Sequence, residues 1–422
     1  MSLLKKVIVV AGTTGVGKSQ LSIQLAKKYN GEVINSDSMQ VYRDIPVITN
    51  KHPLEEREGI QHHVMNHVGW DEEYFLHRFE DECLTAIDDI HNRNKVPIIV
   101  GGTHYYLQVL FNKHVDASIE ANIGDQQLSE KQRELLDSGD NELVHRTLSI
   151  VDPTIAKKFH PNDNRRVRRM LEIYYLTHKK PSELFEQQEV KLKFDTLFYW
   201  IYSEPHVLDQ RLDARVDSML QTGGMDEINQ LFDYYNEQHM SPEKCENGVW
   251  QVIGFKEFLP WLLNPDSVTL QECIERMKIR TRQYAKRQVK WIRKMLIPDI
   301  KGDIYVLNAT DLSDWQNSVS KRAFQIGDQF MEGISINYPH APEGLKDLIS
   351  KEQTVDRKLN DWQNFTCETC RDHDNKPLIC IGEKNWNIHL KSKRHRANLN
   401  RGSKKAEYEK WKRSQLENPK EI

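Results

Sequence analysis

The 422-residue sequence contains no long hydrophobic run: no apolar stretch approaches the ~20 residues that a membrane-spanning helix needs. Cysteine is also scarce, with six residues of which only Cys367, Cys370 and Cys380 lie close together. So few cysteines in so long a chain exclude a secreted disulfide scaffold and favour a reducing compartment. Because a strand pattern starts within a few residues of Met1, we expect no cleaved signal peptide or presequence. We therefore expect a cytoplasmic protein without a membrane segment, with nuclear and mitochondrial pools left open.

Acidic residues are missing or rare in two stretches. Residues 276–294 contain nine Lys/Arg and no acid, and residues 384–413 contain eleven Lys/Arg and two Glu, so each stretch carries +9. Because the net charge is −3, the rest of the chain carries −21. A merely solvated basic helix usually has acids one turn away from its bases. Their absence from 276–294 favours a polyanionic partner such as a nucleic acid.

The strongest positive signal is a glycine-rich segment between an apolar run at 6–11 and a helical pattern at 20–28. It consists of Gly12, Thr13, Thr14, Gly15, Val16, Gly17, Lys18 and Ser19. A strand, such a loop and a helix together hold phosphates, because loop N–H groups and the helix N-terminus converge on the anion. Lys18 would reach terminal phosphate oxygens, and the Ser19 hydroxyl would help to hold Mg²⁺. We call residues 12–19 the phosphate loop.

An acid is missing where a phosphate-cleaving enzyme would keep one. The apolar strand Val96–Val100 runs into Gly101-Gly102-Thr103, and the strand Glu32–Ile34 leads to Asp37. Both strand ends should lie beside the phosphate loop at the carboxyl edge of the sheet. Taken separately, Asp37 and Thr103 could be helix caps or turn formers. Together they predict a base and a leaving-group contact, without the usual means of activating water against a γ-phosphate.

Short strands that alternate with helices predict an α/β fold, in which helices cover both faces of a parallel sheet of the P-loop type. The strand signal disappears at 116–192, where we predict a helical insertion, and returns at 196–202. The expected domains are the catalytic core in two parts, the insertion, a linker, and a zinc finger with a basic tail. Their bounds are 1–115 and 193–331 for the core, 116–192, 332–358 and 359–422.

Two thiols and two imidazoles in the C-terminal segment have metal-ligand spacing. Cys367-x2-Cys370 is followed by His389-x5-His395, which suits tetrahedral Zn²⁺ in a C2H2-type finger. The gap of eighteen residues between the pairs is longer than in the common finger. The alternative that the cysteine pair lies near surface histidines by coincidence therefore stays open. The histidines at 62–67 lack a second set of ligands, and we expect surface or substrate-gate roles for them.

Seven segments resemble, in the same order, the tRNA dimethylallyltransferases, also called tRNA isopentenyltransferases. They are GTTGVGKS at 12–19, DSMQVYR at 37–43, GGTHYY at 101–106, NRRVRRMLE at 164–172, RLDARVDSML at 211–220, QVIGFKEF at 251–258 and YAKRQVKWIR at 284–293. The resemblance runs from residue 7 to about 310, and the added finger is similar to that of the eukaryotic branch.

The resemblance implies transfer of a dimethylallyl group from dimethylallyl pyrophosphate to the N6 amine of the tRNA adenosine immediately 3′ to the anticodon. It implies that Asp37 is the base, that Thr103 lies near the bridging oxygen, and that Arg215 joins Lys18 on the pyrophosphate. Mg²⁺ on Ser19 would stabilise the leaving group further. The missing acid then fits, because no phosphoryl group is transferred.

The resemblance also implies contacts with the tRNA anticodon stem-loop. Gln40 is expected to read the flipped target base, while Ser38 and Met39 line its path. The other expected contacts are Asp37, Asn164, Arg165, Arg166, Val167, Arg168, Gly254, Lys256, Arg282, Lys286, Arg287, Gln288 and Lys290. A monomer would suffice to enclose one base.

Two functions of other classes stay open at this point. A P-loop kinase for a small metabolite would use Asp37 on Mg²⁺ or on the acceptor hydroxyl; the basic helix and the finger argue against it. A non-catalytic RNA-binding protein on a retired NTPase scaffold is the other. The intact set Lys18, Ser19, Asp37 and Thr103 argues against that second alternative.

Overall fold

The structure is a computed structural model that describes residues 5–111, 128–186, 191–349, 363–372 and 375–401. The chain divides into two compact units: Met1–His114 with Glu189–Val355, and Val115–Gln188 with Asp356–Ile422. The predicted domain boundaries at 115/116 and 358/359, much of the predicted linker and most of the basic tail lie outside the described residues. Within the described residues, no helix is both long and apolar enough to cross a bilayer.

The first unit is built on a six-stranded parallel sheet with the order β3-β2-β4-β1-β5-β6. The strands are β1 (Lys6–Gly12), β2 (Gly31–Asn35), β3 (His62–His63), β4 (Val96–Gly101), β5 (Asp195–Tyr202) and β6 (Tyr305–Asn308). β1 lies in the middle, between β4 and β5, so the phosphate loop leaves the centre of the carboxyl edge. The predicted α/β fold is confirmed. β3 was not predicted, because two residues are too few to show a pattern.

Alternation along β1 explains why both faces of the sheet are covered. Val7 and Val9 join one apolar cluster, whereas Ile8 and Val10 join another, and all four are fully buried. A strand buried on both faces reads as a continuous apolar run, which is what the sequence shows here. The central strand is therefore rigidly held, and so is the start of the phosphate loop.

Besides the segment 393–401, the described residues form fourteen α-helices. They are α1 (Lys18–Tyr29), α2 (Leu76–Asn92), α3 (Glu130–Asp137), α4 (Asn141–Val151), α5 (Pro153–Ala156), α6 (Asn164–Thr177), α7 (Pro181–Glu186), α8 (Pro205–Met219), α9 (Met225–Glu237), α10 (Phe255–Leu263), α11 (Leu270–Trp291), α12 (Ile297–Asp299), α13 (Arg322–Glu332) and α14 (Glu383–Leu390). The long helix α11 packs against α8 and α10, with Cys273 and Met277 in the apolar cluster below.

The second unit contains a helical part and the finger. Its helices α3 to α7 enclose an apolar cluster that includes Val144, Leu148 and Leu171. In the finger, β7 (Asn364–Arg371) and β8 (Pro377–Ile381) form an antiparallel hairpin that is followed by α14. Residues 393–401 are also helical.

Candidate active site and metal cluster

Two glycines of the phosphate loop have backbone conformations that larger residues rarely adopt. Gly15 and Gly17 have φ values of 79° and 88°, in the left-handed region that favours glycine. A Cβ on Gly17 would also lie 2.6 Å from the indole ring of Trp315. The Lys18 ammonium donates to the backbone oxygen of Thr13 at 2.7 Å, so the lysine folds back over its own loop. This is the geometry in which a loop surrounds an anion.

Side chains from other segments hold two of the loop's N–H groups. Gly12 N–H donates to His104 Nε2 at 3.2 Å, and Thr14 N–H donates to Gln288 Oε1 at 2.9 Å. Burial lowers the pKa of His104 to about 3, with the Lys18 cation acting in the same direction, so the ring is neutral and its nitrogen can accept. His104 in turn stacks on the indole of Trp291, with ring centroids 5.6 Å apart. The loop is therefore fixed before any ligand arrives.

Asp37 lies beside this loop with its carboxylate inside the protein. Its Oδ1 accepts a hydrogen bond from the Met39 N–H at 3.0 Å, and its own N–H donates to Asn35 Oδ1 at 3.0 Å. Burial raises the pKa of the Asp37 carboxyl, although the Met39 N–H and the cations of Lys18 and Arg215 act in the opposite direction. A carboxyl with a raised pKa is a stronger base once it is ionised.

Thr103 lies next to the Asp37 segment, as the strand order predicts. Its hydroxyl oxygen accepts from the Ser38 N–H at 3.1 Å and lies 3.2 Å from the Ser38 hydroxyl. A Cβ built on Gly102 would lie 3.2 Å from Asp37 Oδ2, so the carboxylate faces the residue before Thr103. The structure thus brings Asp37 and Thr103 together at the end of β2 and β4.

Two half-buried cations, Lys18 and Arg215, complete the site. Burial lowers the pKa of Lys18 to about 8 and that of Arg215 to about 10, and Asp37 partly opposes both shifts. Arg215 Nη1 donates to Thr14 Oγ1 at 3.2 Å, which places the guanidinium on the loop. Two cations and a single carboxylate leave an excess of positive charge that suits a polyanion. From the local sequence pattern alone, Arg215 is one charged residue on an amphipathic helix. Only the family resemblance predicted its place in the site.

Two cavities meet at these residues. One, of about 710 Å³, is lined by Lys18, Ser19 and Gln40, and the other, of about 940 Å³, is lined by Ser38, Met39, Lys256, Tyr284 and Arg287 among others. Asp37, Thr14 and Arg215 line both cavities. A ligand on the phosphate loop and a second substrate in the larger cavity could therefore meet at the same carboxylate.

Gln40 is partly committed to the protein. Its Nε2 lies 3.2 Å from the backbone oxygen of Thr49 and 3.0 Å from that of Asn50. The amide nitrogen thus holds the 49–50 segment, and these two hydrogen bonds fix the orientation of the Gln40 amide. Recognition of the target base by Gln40 stays a prediction. Because the amide nitrogen bonds to protein, the side-chain carbonyl oxygen is the atom that would contact the base.

The basic helix α11 has acidic partners that its own sequence does not show. Three pairs connect it to α8: Lys278 with Asp217 at 2.8 Å, Arg282 with Asp213, and Lys286 with Asp209 at 3.2 Å. The three bases on α11 and the three acids on α8 each recur every four residues, so the three ion pairs lie along one face of each helix. Residues 276–294 contain no acid, whereas in the fold the neighbouring helix α8 supplies acids to these three cations. The matching spacing in both segments was the signal that could have found them.

Other predicted tRNA contacts differ in their exposure. Arg287 and Lys290 are exposed, and neither forms an ion pair with another described residue. Gln288 is 3% exposed, with both ends of its amide bonded to protein, so it offers no free group to RNA. Val167 is fully buried and Gly254 has no side chain, so neither provides a side-chain contact.

The contacts expected in the insertion lie at the start of α6. Asn164, Arg165 and Arg166 are exposed in its first turn, and the Arg166 guanidinium pairs with the helix cap Asp163. The guanidinium of the next arginine, Arg168, lies 2.8 Å from the Asp137 carboxylate.

The four predicted metal ligands converge in the finger. One ligand atom from each of Cys367, Cys370, His389 and His395 lies within 4.8 Å of the other three. The Nε2 of His389 is buried without a hydrogen-bond partner, as expected for an atom whose partner is a metal ion. Two thiolates and two imidazoles at this separation fit tetrahedral Zn²⁺. Cys380 is only partly buried and lies outside the cluster.

The histidines at 62–67 have structural partners. His63 Nε2 lies 2.7 Å from the buried carboxylate of Glu32, and His67 Nε2 lies 2.7 Å from Glu82. The residue before the first of these, His62, contributes to β3. These contacts give two of the histidines a role in holding the sheet edge.

The fold and the site define an α/β protein of the phosphate-loop class, with a half-buried carboxylate, Asp37, at the point where its two cavities meet. A family model described as IPP transferase matches residues 40–295. The tRNA dimethylallyltransferase of Saccharomyces cerevisiae is 62% identical over 415 residues, which cover 98% of this chain and 96% of the relative. The human protein of the same name is 32% identical and covers 92% and 84%. The chain belongs to the IPP transferase family, and it is an enzyme of the prenyltransferase type.

Solved structures agree with this assignment. A crystal structure of a eukaryotic dimethylallyltransferase acting on tRNA superposes with a TM-score of 0.91 at 63% identity, covering 97% of this chain and 100% of that one. The full-length tRNA isopentenylpyrophosphate transferase from Bacillus halodurans gives a TM-score of 0.54 at 33% identity, covering 78% and 97%. The family and fold expected from the seven sequence segments are confirmed.

Proposed function

We propose that this chain transfers a dimethylallyl group from dimethylallyl pyrophosphate to the N6 amine of the adenosine 3′-adjacent to the anticodon in tRNA, releasing pyrophosphate. The observation that carries the proposal is the half-buried carboxylate of Asp37 beside a phosphate loop with two half-buried cations, Lys18 and Arg215. β4 ends in glycine at Gly101, where an enzyme that cleaves a γ-phosphate would have an acid. The yeast and human relatives carry the name of this activity.

In the proposed reaction Asp37 accepts a proton. The adenine amine is a poor nucleophile, because its lone pair is delocalised into the ring. As its nitrogen bonds to the allylic carbon, the bond from that carbon to the bridging oxygen breaks, and the proton lost by nitrogen goes to the Asp37 carboxylate. The neighbouring Thr103 hydroxyl is the proposed contact of the bridging oxygen.

The departing pyrophosphate needs positive charge around it. Lys18, Arg215 and the phosphate-loop N–H groups supply this charge from fixed positions, so little reorganisation is needed as the bond breaks. Ser19 lines the same cavity as Lys18, and its hydroxyl would hold Mg²⁺, which when bound compensates further diphosphate charge. Expulsion of the leaving group and removal of the proton are thus divided between two sets of residues.

We propose that tRNA binds along the exposed cations Lys256 and Arg287 that line the larger cavity, along Lys290 one turn further on α11, and at the exposed start of α6. These contacts would neutralise phosphates and position the stem-loop, while the target base is flipped towards Asp37 and Gln40. The finger is proposed to hold Zn²⁺ and to add affinity for the RNA backbone. A monomer acting in the cytoplasm, with nuclear and mitochondrial pools, completes the proposal.

Isotope transfer from two donors tests the function. The full chain is incubated with an anticodon stem-loop and either labelled dimethylallyl pyrophosphate or ATP labelled in its γ-phosphate. We expect label on RNA only from the prenyl donor, and none on a matched stem-loop in which purine, lacking the amine, replaces the target adenine. Transfer of phosphate from ATP to a small acceptor, with no labelled RNA, would support the kinase alternative and refute the proposal.

A further inference from the structure

One buried amide on α11 connects the two halves of the site. Gln288 Oε1 accepts from the Thr14 N–H at 2.9 Å, and Gln288 Nε2 donates to the Gly102 carbonyl at 2.7 Å. The side chain is 3% exposed, so these bonds form away from water. A buried amide needs both a donor and an acceptor partner, and this one has found them in two segments 88 residues apart in sequence.

Each end of this bridge touches a different part of the proposed chemistry. Thr14 belongs to the phosphate loop, and its hydroxyl also accepts from Arg215 at 3.2 Å. Gly102 precedes Thr103 and faces Asp37, and a Cβ there would collide with Gln288 Nε2. The leaving-group side and the base side are thus both bonded to one amide.

A second donor from the same helix supports the Gly102 end. The Tyr284 hydroxyl, one turn before Gln288 on α11, lies 3.4 Å from the Gly102 carbonyl oxygen. The two donors approach one acceptor, whereas Gln288 alone reaches the phosphate loop. The Gly102 carbonyl is therefore fixed by α11 and not by the strand it follows.

We propose that Gln288 is a positioning residue that sets the spacing between the phosphate loop and the Asp37–Thr103 pair. The inference rests on the proposed function and replaces the expected tRNA contact of Gln288. The primary amide supplies an acceptor for the Thr14 N–H together with a donor for the Gly102 carbonyl. Displacement of a reacting group by about 1 Å can cost about a hundredfold in rate, so a bridge of this kind matters for turnover.

Three full-length variants test the bridge. Gln288→Met keeps the length of the side chain but removes both bonds, and Tyr284→Phe removes the second donor at Gly102 together with its contacts to Thr103 and Gln288. Gln271→Met is the matched control, because Gln271 is exposed on the same helix and its Nε2 lies 3.3 Å from the Glu275 carboxylate. For each we measure the affinity for inorganic pyrophosphate, the affinity for an anticodon stem-loop, kcat at saturating substrates, and Tm.

For Gln288→Met we expect a pyrophosphate affinity about tenfold lower and a kcat roughly ten- to hundredfold lower, with RNA affinity changed less than twofold. Tyr284→Phe should lower kcat by a smaller factor and leave pyrophosphate affinity unchanged, and Gln271→Met should match the wild type. If Gln288→Met does not fold, the result for Tyr284→Phe decides, because an unchanged kcat there would overturn the proposal.

Two results for a folded Gln288→Met protein would overturn the proposal. Loss of RNA affinity with unchanged pyrophosphate affinity would make Gln288 an RNA contact after all. A lower Tm with unchanged pyrophosphate affinity and kcat would make it a packing residue only. If the wild type binds pyrophosphate but transfers nothing to RNA, the proposed function fails, while the pyrophosphate affinities still test the loop half of the bridge.

Discussion

The sheet edge of the first unit and the finger both gather polar side chains, but they hold them in different ways. At the sheet edge, Asp37 and Lys18 follow strands whose residues are buried on both faces, and hydrogen bonds from other protein groups fix the loops. In the finger, four ligand residues make up most of what is buried, while Ile388 and Leu390 are 60% and 37% exposed. One site is positioned by a large core, and the other has almost no core of its own.

The difference teaches what each site depends on. A large core can bear the cost of partly desolvating a lysine, an arginine and a carboxylate, which lowers the pKa of Lys18 and Arg215 and raises that of Asp37. A unit as small as the finger gains little stability from apolar burial, and we therefore expect it to depend on metal coordination. We therefore expect metal removal to damage the finger alone, and charge substitutions to damage catalysis at the sheet edge.

The largest expected effect is on the finger. Structural Zn²⁺ binding is worth about 10–16 kcal/mol in small finger peptides, so chelation or Cys370→Ser should unfold the finger. Hydrogen exchange followed by mass spectrometry should show lost protection in β7, β8 and α14, with β1 and β5 unchanged. Cys380→Ser, outside the ligand cluster, is the control and should keep its metal. Equal loss of protection in β1 would contradict the contrast between the two regions.

The next largest effect is expected for Asp37, the proposed catalytic base. Asp37→Asn keeps the shape of the side chain but cannot accept the proton, so kcat should fall by roughly 10²–10⁴-fold while stem-loop affinity changes little. The control is Asp44→Asn, an exposed acid at a left-handed position that Asn also tolerates. Transfer of labelled prenyl group under saturating conditions gives kcat. A residual rate within threefold of the wild type would remove Asp37 from the mechanism.

A smaller effect concerns pH. Because burial lowers the pKa of Lys18 to about 8, the side chain is a cation at pH 7 and increasingly neutral at pH 9. Pyrophosphate affinity should therefore fall as pH rises through 8, by up to about tenfold per pH unit. Lys18→Arg, which stays charged throughout, corrects for the ionisation of pyrophosphate itself. Calorimetric titrations of both proteins that show identical pH slopes would contradict the assigned protonation of Lys18.

The smallest effect separates two kinds of cation on α11. Arg287→Gln should lower the slope of log affinity against log salt by about one unit, because this exposed cation is open to a phosphate. Arg282→Gln should change the slope less, since Arg282 already pairs with Asp213. Fluorescence titration of a labelled stem-loop at several salt concentrations measures both slopes. Equal changes would mean that the ion pairs between α8 and α11 open when RNA binds.

Much of this protein was predictable because its patterns are local. The phosphate loop, the alternation of strands and helices, and the spacing within each ligand pair of the finger are all visible in short stretches of sequence. The convergence of Asp37 and Thr103 also followed, because parallel strands end at one edge of a sheet. In these cases chain chemistry and strand direction leave few alternatives.

Only the tertiary structure decided which distant groups meet. That Gln288 is buried against Thr14, 274 positions earlier, depends on how α11 packs over the loop. The same packing pairs the acids of α8 with the bases of α11. The local sequence sets the face of a helix on which a residue lies. What that face contacts depends on where the helix packs, and this is decided by the apolar side chains of the whole core.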